Sequence, residues 1–135
     1  MSYSLEEIEG IGTAYSGKLG ACGIKTTSAL LKRCADPKGR RRIADESGIS
    51  EELLLQWVHF VDLMRVRGIG RQYAELLLGA GVDTIKELRA RKPGQLAAKM
   101  AEVNAVKNLT HRIPVPVMVE EWIELAAKLK PVITY

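Results

Sequence analysis

The sequence predicts an all-α protein built from two related helical units. Apolar residues recur at helical spacing almost throughout, and Gly and Pro separate the segments. No run of alternating residues is long enough for a sheet, and the short apolar stretches near residues 115–117 and 131–133 contain proline, which disfavours central strands. The segment Ile-Glu-Gly-Ile-Gly at residues 8–12 recurs as Val-Arg-Gly-Ile-Gly at residues 66–70. Such a repeat constrains the whole fold.

The repeat extends beyond these two segments, which we call the first glycine turn (residues 8–12) and the second glycine turn (residues 66–70). Further residues match at the same offset of 58 positions: Tyr15 with Tyr73, Leu19 with Leu77, Gly23 with Gly81, Thr26 with Thr84, and Leu30 with Leu88. We therefore divide the chain into units at residues 1–65 and 66–135, and we expect them to pack into one joint globule.

The first unit shows five helical segments with recognisable starts and stops. A capping box at residues 4–7 predicts a short first helix, and a second helix is expected over residues 14–21. Gly23 is suited to the position after that helix, because glycine accepts positive φ. The following helices are predicted from Thr26 or Thr27 to about Cys34, from Asp36-Pro37 to about Glu46 with Gly48 as the stop, and over residues 51–65.

The segment at residues 51–65 is the most apolar helix of the chain, so we expect it to be the central element. Trp57 lies on its main apolar face, and a polar stripe at Gln56, His59 and Asp62 should face solvent.

The second unit repeats the same order of signals. A helix is predicted over residues 71–78, and a capping box at residues 84–87 begins the next. Pro93 should begin a helix through about Glu102, and residues 104–116 read as a polar connector. The last helix is predicted from Pro116, with Trp122 in the place that Trp57 has in the first unit.

Composition indicates an ordinary globular protein of 135 residues, with 47% hydrophobic and 27% charged residues. Cys22 and Cys34 have no metal-ligand spacing, so we interpret them as reduced, mostly buried thiols, with a disulfide between them as the less favoured alternative. The polar, acidic residues 1–7 do not resemble a signal peptide, and no apolar run approaches a membrane span. We expect a cytoplasmic protein without membrane contact.

The net charge of +4 is unevenly distributed. Residues 1–65 hold nine basic and nine acidic residues, whereas residues 66–135 hold eleven basic and seven acidic ones. A basic segment around the second glycine turn favours nucleic acid as a partner. The common alternative is a basic surface that faces only solvent.

The glycine turns have a chemistry of their own. The glycines permit positive φ and leave no side chain in the way, while Ile11 or Ile69 can enter the core. The N–H groups of the turn and of the next helix's first turn then lie beside the positive end of a helix dipole, where they can hold an anion. Phosphate bound in this way carries little sequence preference.

Both turns resemble the helix-hairpin-helix family of DNA-binding modules over about 25 residues each. A small residue four positions after the second glycine is part of that pattern, and Ser16 and Ala74 occupy the place. Most of the chain also resembles an uncharacterised bacterial family with tandem copies of this module, which implies no known activity.

The two turns differ in their flanking charges. Arginines flank the second glycine turn. The first turn is flanked by Glu6, Glu7 and Glu9, and Lys18 is the basic residue near it in the sequence. Cations suit a phosphate site and carboxylates oppose it. The candidate nucleic-acid-binding residues are Arg65, Arg67, Gly68, Ile69, Gly70 and Arg71. The secondary turn comprises Gly10, Ile11, Gly12 and Lys18, and an auxiliary basic patch, or simply a solvated surface, is expected at Arg40, Arg41 and Arg42.

These observations lead to a function hypothesis and one alternative. We expect a non-enzymatic, non-sequence-specific DNA-binding protein that uses the second glycine turn, with no catalytic residues, metal, cofactor or small-molecule substrate. The sequence contains no P-loop, no Ser or Cys in a nucleophile context, no carboxylate pair in a natural acid/base environment and no histidine with a ligand-spaced partner. The alternative is a protein–protein adaptor that uses the same helical corners for docking. A tight interhelical turn that serves only packing is the structural alternative for both turns.

Overall fold

The computed structural model describes residues 2–135, which contain eight α-helices and no strand. The all-α prediction is therefore confirmed. A 3-10 helix at Leu5–Glu7 precedes the first of them. None of the helices in this described part of the chain is long and apolar enough to cross a membrane. The α-helices are α1 (Thr13–Ala21), α2 (Thr27–Cys34), α3 (Pro37–Ser47), α4 (Glu51–Leu63), α5 (Arg71–Gly79), α6 (Ile85–Ala90), α7 (Pro93–Lys107) and α8 (Pro116–Lys128).

The chain divides into two compact units. The first contains the residues up to Asp62 together with Pro131–Tyr135, and the second is Leu63–Lys130. In the first unit α3 packs against both α1 and α2, and in the second α8 packs against α6 and α7 while α5 packs against α7. In each unit the glycine turn is followed by α-helices in the same order along the chain, as the sequence repeat predicts.

Local capping explains where most helices begin and end. Thr26 Oγ1 accepts a hydrogen bond from Ala29 N at the start of α2, and Asp36 Oδ1 accepts one from Gly39 N at the start of α3. Gly48 ends α3 with φ +75°. These signals act within a few residues along the chain, so the predicted boundaries here are confirmed.

The predicted capping box at Ser4 is wrong. Ser4 makes no side-chain cap, and the segment forms three residues of 3-10 helix instead of an α-helix. The cause is a contact with the start of α2, because Tyr3 N donates to Thr27 Oγ1 (3.0 Å) and Thr27 N donates to Tyr3 O (2.9 Å). This pairing holds the N-terminal residues extended, and an isolated bridge joins Ser4 to Thr26.

The predicted end of α7 is also wrong. The helix continues to Lys107, five residues past the predicted Glu102, and the connector is residues 108–115. Asn104, interpreted from the sequence as part of the connector, is a buried helix residue. Its amide group binds the connector backbone, so a polar residue here is compatible with a buried helix position.

The helix α4 is strongly buried, as predicted. Asp62, expected on its solvent-facing stripe, is only 7% exposed, whereas Gln56 is exposed. The buried apolar residues of this helix are Leu54, Trp57, Val58, Phe60, Val61 and Leu63.

Candidate phosphate-binding turn

The first glycine of each turn adopts a conformation that favours glycine. Gly10 has φ +92° and Gly68 has φ +98°. Each turn is closed by one backbone hydrogen bond, from Ile11 N to the carbonyl of residue 8 (3.1 Å) and from Ile69 N to the carbonyl of residue 66 (3.0 Å). Ile11 and Ile69 are buried, which confirms that the residue between the glycines enters the core.

A tryptophan lies behind each turn. In the first unit the Trp57 ring packs edge-on against Tyr15 with centroids 5.0 Å apart, and in the second the Trp122 ring packs against Tyr73 at 5.1 Å. A Cβ added to Gly68 would lie 2.9 Å from Trp122 Nε1. The first glycine of the second turn is therefore required by the fold, both for its φ and for the space that the indole occupies.

The second glycine of each turn is different, and the expectation of positive φ is wrong for it. Gly12 has φ −102° and Gly70 has φ −95°, values that any residue can adopt. Within the described residues, a Cβ on either glycine would meet no atom closer than 4 Å. Neither backbone conformation nor internal packing requires a glycine at these two positions.

These second glycines are the N-caps of α1 and α5. The first intrahelical bonds run from Ser16 N to Gly12 O (3.0 Å) and from Ala74 N to Gly70 O (2.9 Å). A helix has no internal acceptor for the earlier N–H groups, and neither glycine provides a side-chain cap. Both helices thus present backbone donors at their positive ends, which is the geometry of an anion site.

The three arginines of the second turn occupy different environments. Arg67 is exposed. Arg65 is half-buried, and its Nη2 donates to the carbonyl of Lys130 at 3.2 Å. Arg71 Nε contacts Glu75 Oε1 at 3.1 Å in an i, i+4 ion pair. Because that pair is partly solvent-exposed, it holds Arg71 by only about 0.3–0.5 kcal/mol, so an anion can compete for the guanidinium.

The first turn lacks such cations. Glu6 and Glu9 are exposed and Glu7 is half-buried, so the segment that leads into α1 carries three carboxylates. Lys18 lies with its Nζ 5.8 Å from the centre of the Tyr15 ring. The backbone geometry is therefore shared by both turns, while the charges that favour an anion belong to the second.

Arg40 lies away from the surface, contrary to the expected auxiliary patch. It is 5% exposed, and its guanidinium donates to the carbonyls of Cys34 (3.0 Å), Ala35 (3.0 Å) and Thr134 (2.7 Å). These bonds satisfy a buried charge through backbone acceptors. Arg41 and Arg42 are exposed, so the arginine triplet contributes two surface cations instead of three.

Sequence reasoning missed one group of residues beside the second turn. The hydroxyl of Tyr73, in the first turn of α5, donates to the carbonyl of Arg112 at 2.8 Å. The connector between α7 and α8 is thereby held next to the candidate anion site. The sequence does carry a signal for this segment, because the lack of any acidic residue from position 103 to 119 favours contact with an anion.

The remaining titratable groups form no second candidate site. Among the described residues, no three His, Cys, Asp or Glu side chains are grouped to hold a metal ion. Cys22 and Cys34 are free thiols, the first half-buried and the second buried. Burial raises the pKa of the Cys34 thiol to about 11, which makes it a poor nucleophile at neutral pH.

The fold and the paired turns define an all-helical protein with an internal repeat, in which each unit contains a glycine turn that packs against a tryptophan. The chain belongs to the family described as a domain of unknown function (DUF4332), which matches residues 9–129. Membership of an uncharacterised family is thus confirmed. Comparisons with curated proteins and with solved structures each gave no match.

Proposed function

We propose that this protein binds DNA without sequence preference and without catalysis, through phosphate contacts at its second glycine turn. Gly12 is equally open but has acidic neighbours, so the observation that carries the proposal is the pairing of Arg67 and Arg71 with the open N-cap Gly70. Its φ suits any residue and a Cβ would point into open space, yet the position has no side chain. A serine or aspartate would cap α5 better than glycine does. An external group that approaches the backbone closely explains this choice, and a phosphate fits the exposed donors.

The surrounding charges support an anionic polymer as that external group. Arg67 is exposed beside the turn, and Arg71 follows Gly70 directly at the first position of α5. Long-range attraction from these cations complements short-range hydrogen bonds from the backbone, and neither reads base identity. On this proposal, the second turn binds DNA in the way that its resemblance to the helix-hairpin-helix family implies.

The first glycine turn serves as an internal comparison. It has similar φ values and an equally open N-cap glycine, but the exposed Glu6 and Glu9 belong to its flanking sequence. The proposal therefore assigns DNA contact to the second turn and a structural role to the first.

A protein partner is the second candidate, and one observation favours it. Four aliphatic side chains between residues 106 and 117 are unusually exposed. Scattered exposed apolar residues are normal, whereas several in one segment can mark a protein contact. They are Val106 (86% exposed), Ile113 (47%), Val115 (53%) and Val117 (72%).

The deciding experiment measures binding of a fluorescent duplex of mixed sequence by anisotropy, over a range of salt. We expect Gly70→Ala to fold normally and to bind weakly, because its methyl group occupies the approach to the α5 donors. Gly12→Ala is the matched control, since it places the same methyl at the same position of α1. It should bind as the wild type does.

Charge reversal provides a second arm. Arg67→Glu combined with Arg71→Glu should abolish binding, and wild-type affinity should fall steeply with salt, with a slope of about 0.9 per phosphate contact. Absence of any binding by the wild type at low salt would refute the proposal. Equal losses in Gly12→Ala and Gly70→Ala would refute the assignment to the second turn.

A further inference from the structure

The connector at residues 108–115 distinguishes the second unit from the first. Eight residues join α7 to α8, whereas three residues, 48–50, join the corresponding helices α3 and α4. The longer connector is well ordered by hydrogen bonds. Asn104 Oδ1 accepts from Leu109 N (2.8 Å) and Thr110 N (3.0 Å), and Asn104 Nδ2 donates to Thr110 O (2.9 Å).

The position of Arg112 within this connector is fixed on both sides. Arg112 N donates to Thr110 Oγ1 at 3.1 Å, and the Arg112 carbonyl accepts from Tyr73 Oη at 2.8 Å. Tyr73 is the third residue of α5 and therefore belongs to the helix turn whose N–H groups are open. Its ring is in turn held against Trp122. The Tyr73 side chain thus links the Arg112 backbone to the helix turn that carries the candidate phosphate site.

The connector also carries an exposed cation, Arg112, and the exposed Lys107 ends α7 directly before it. No carboxylate occurs from position 103 to 119. Arginine presents a planar fork of donors that suits phosphate oxygens. The unit with arginines at its glycine turn is therefore also the unit in which a cationic connector is attached to that turn.

We infer that the connector is a second phosphate contact of the DNA site, in which Arg112 binds a phosphate near the one held by α5 and Tyr73 acts as a positioning residue. The inference rests on the proposed function and extends it, because a cation held beside α5 through Tyr73 adds a second phosphate contact to the one at the turn. A connector that only closes the fold does not account for the placement of Arg112, since its charged group makes no contribution to the bonds that order the loop.

The test uses the full chain and the same fluorescent duplex, with anisotropy measured at several salt concentrations. Arg112→Ala should lower the slope of log affinity against log salt by about 0.9, which corresponds to roughly eightfold weaker binding at 0.1 M salt when the effect is scaled from 1 M. Arg89→Ala is the matched control, because it removes one exposed arginine from α6 in the same unit. Its slope should equal that of the wild type.

A double-mutant cycle tests the positioning role of Tyr73. Tyr73→Phe removes the hydroxyl but keeps the ring, so it should weaken binding in the wild-type background and have no further effect in Arg112→Ala. A purely structural role for the hydroxyl predicts the same loss in both backgrounds and would overturn this role.

The other outcomes separate this inference from the proposed function. If Arg112→Ala keeps the wild-type affinity and slope while Arg67→Glu with Arg71→Glu abolishes binding, the connector contact is refuted and the second-turn site stands. A slope change in Arg89→Ala as large as that in Arg112→Ala also refutes it, because net charge would then be the cause. A wild type that binds no DNA at low salt overturns both.

Discussion

Replacing the first glycine of each turn by alanine should destabilise the two units unequally. Gly68 and Gly10 have nearly the same φ, so a Cβ causes similar backbone strain of about 1–3 kcal/mol at either position. Alanine recovers about 0.4–1 kcal/mol by restricting the unfolded chain. Both variants should therefore lose on the order of 1 kcal/mol in their free energy of unfolding.

The tryptophans account for the difference between the variants. The added Cβ would lie 2.9 Å from Trp122 Nε1 at Gly68, but 3.7 Å from Trp57 Nε1 at Gly10, which is ordinary van der Waals contact. Trp122 is only 3% exposed and is packed on Tyr73, so it has little room to move. Overpacking of this kind costs about 1–3 kcal/mol in addition. Gly68→Ala should therefore lower the free energy of unfolding by about 2–4 kcal/mol in all.

Urea unfolding followed by circular dichroism gives the free energy of unfolding of each variant, and hydrogen exchange in α1 and α5 assigns the loss to its unit. The expected result is a larger loss for Gly68→Ala, confined to the second unit. Equal losses for Gly10→Ala and Gly68→Ala would refute the claim that the indole of Trp122 requires the glycine.

Two further predictions concern buried polar groups. Asn104→Ala should destabilise the second unit by about 2–4 kcal/mol, because it removes the acceptor of two backbone N–H groups. Hydrogen exchange should show faster exchange of the Leu109 and Thr110 amides, with exchange in α1 unchanged. Burial raises the pKa of the Cys34 thiol from 9.0 to about 11, so its contribution to stability is complete below pH 9.0 and is lost as pH rises towards 11. The urea midpoint of the wild type should therefore fall more between pH 9 and 11 than that of Cys34→Ala; parallel curves would contradict this account.

The sequence predicted those parts of the fold that depend on short-range chemistry. The N-caps Thr26 and Asp36 and the positive φ of Gly48 each follow from interactions within four residues, so their signals are readable along the chain. The repeat predicted that the turns share one geometry, and they do. Ser4 carries an equally clear local signal, but contacts with residues 26 and 27 override it.

The candidate site was predictable only in part. The glycine pattern and the arginines locate the second turn, yet the sequence does not reveal that Gly68 and Gly70 have different reasons to be glycine. One needs positive φ and space for an indole, and the other needs neither. In the sequence Arg40 looks like Arg41 and Arg42, because its acceptor at Thr134 lies 94 positions away. The contact of Tyr73 with Arg112 spans 39 positions and is equally invisible to local patterns.

The return of Pro131–Tyr135 to the first unit affects how the chain acquires its structure during synthesis. Thr134 N donates to Ala35 O at 2.8 Å, and the Thr134 carbonyl receives the buried Arg40 guanidinium. Domains generally fold in the order in which they are made. Here the second unit is a continuous segment that is complete before residue 131 is added, whereas the first waits for residues made after it. Until Thr134 leaves the ribosome, the Arg40 guanidinium lacks one of its acceptors, so the unit that begins first is finished last.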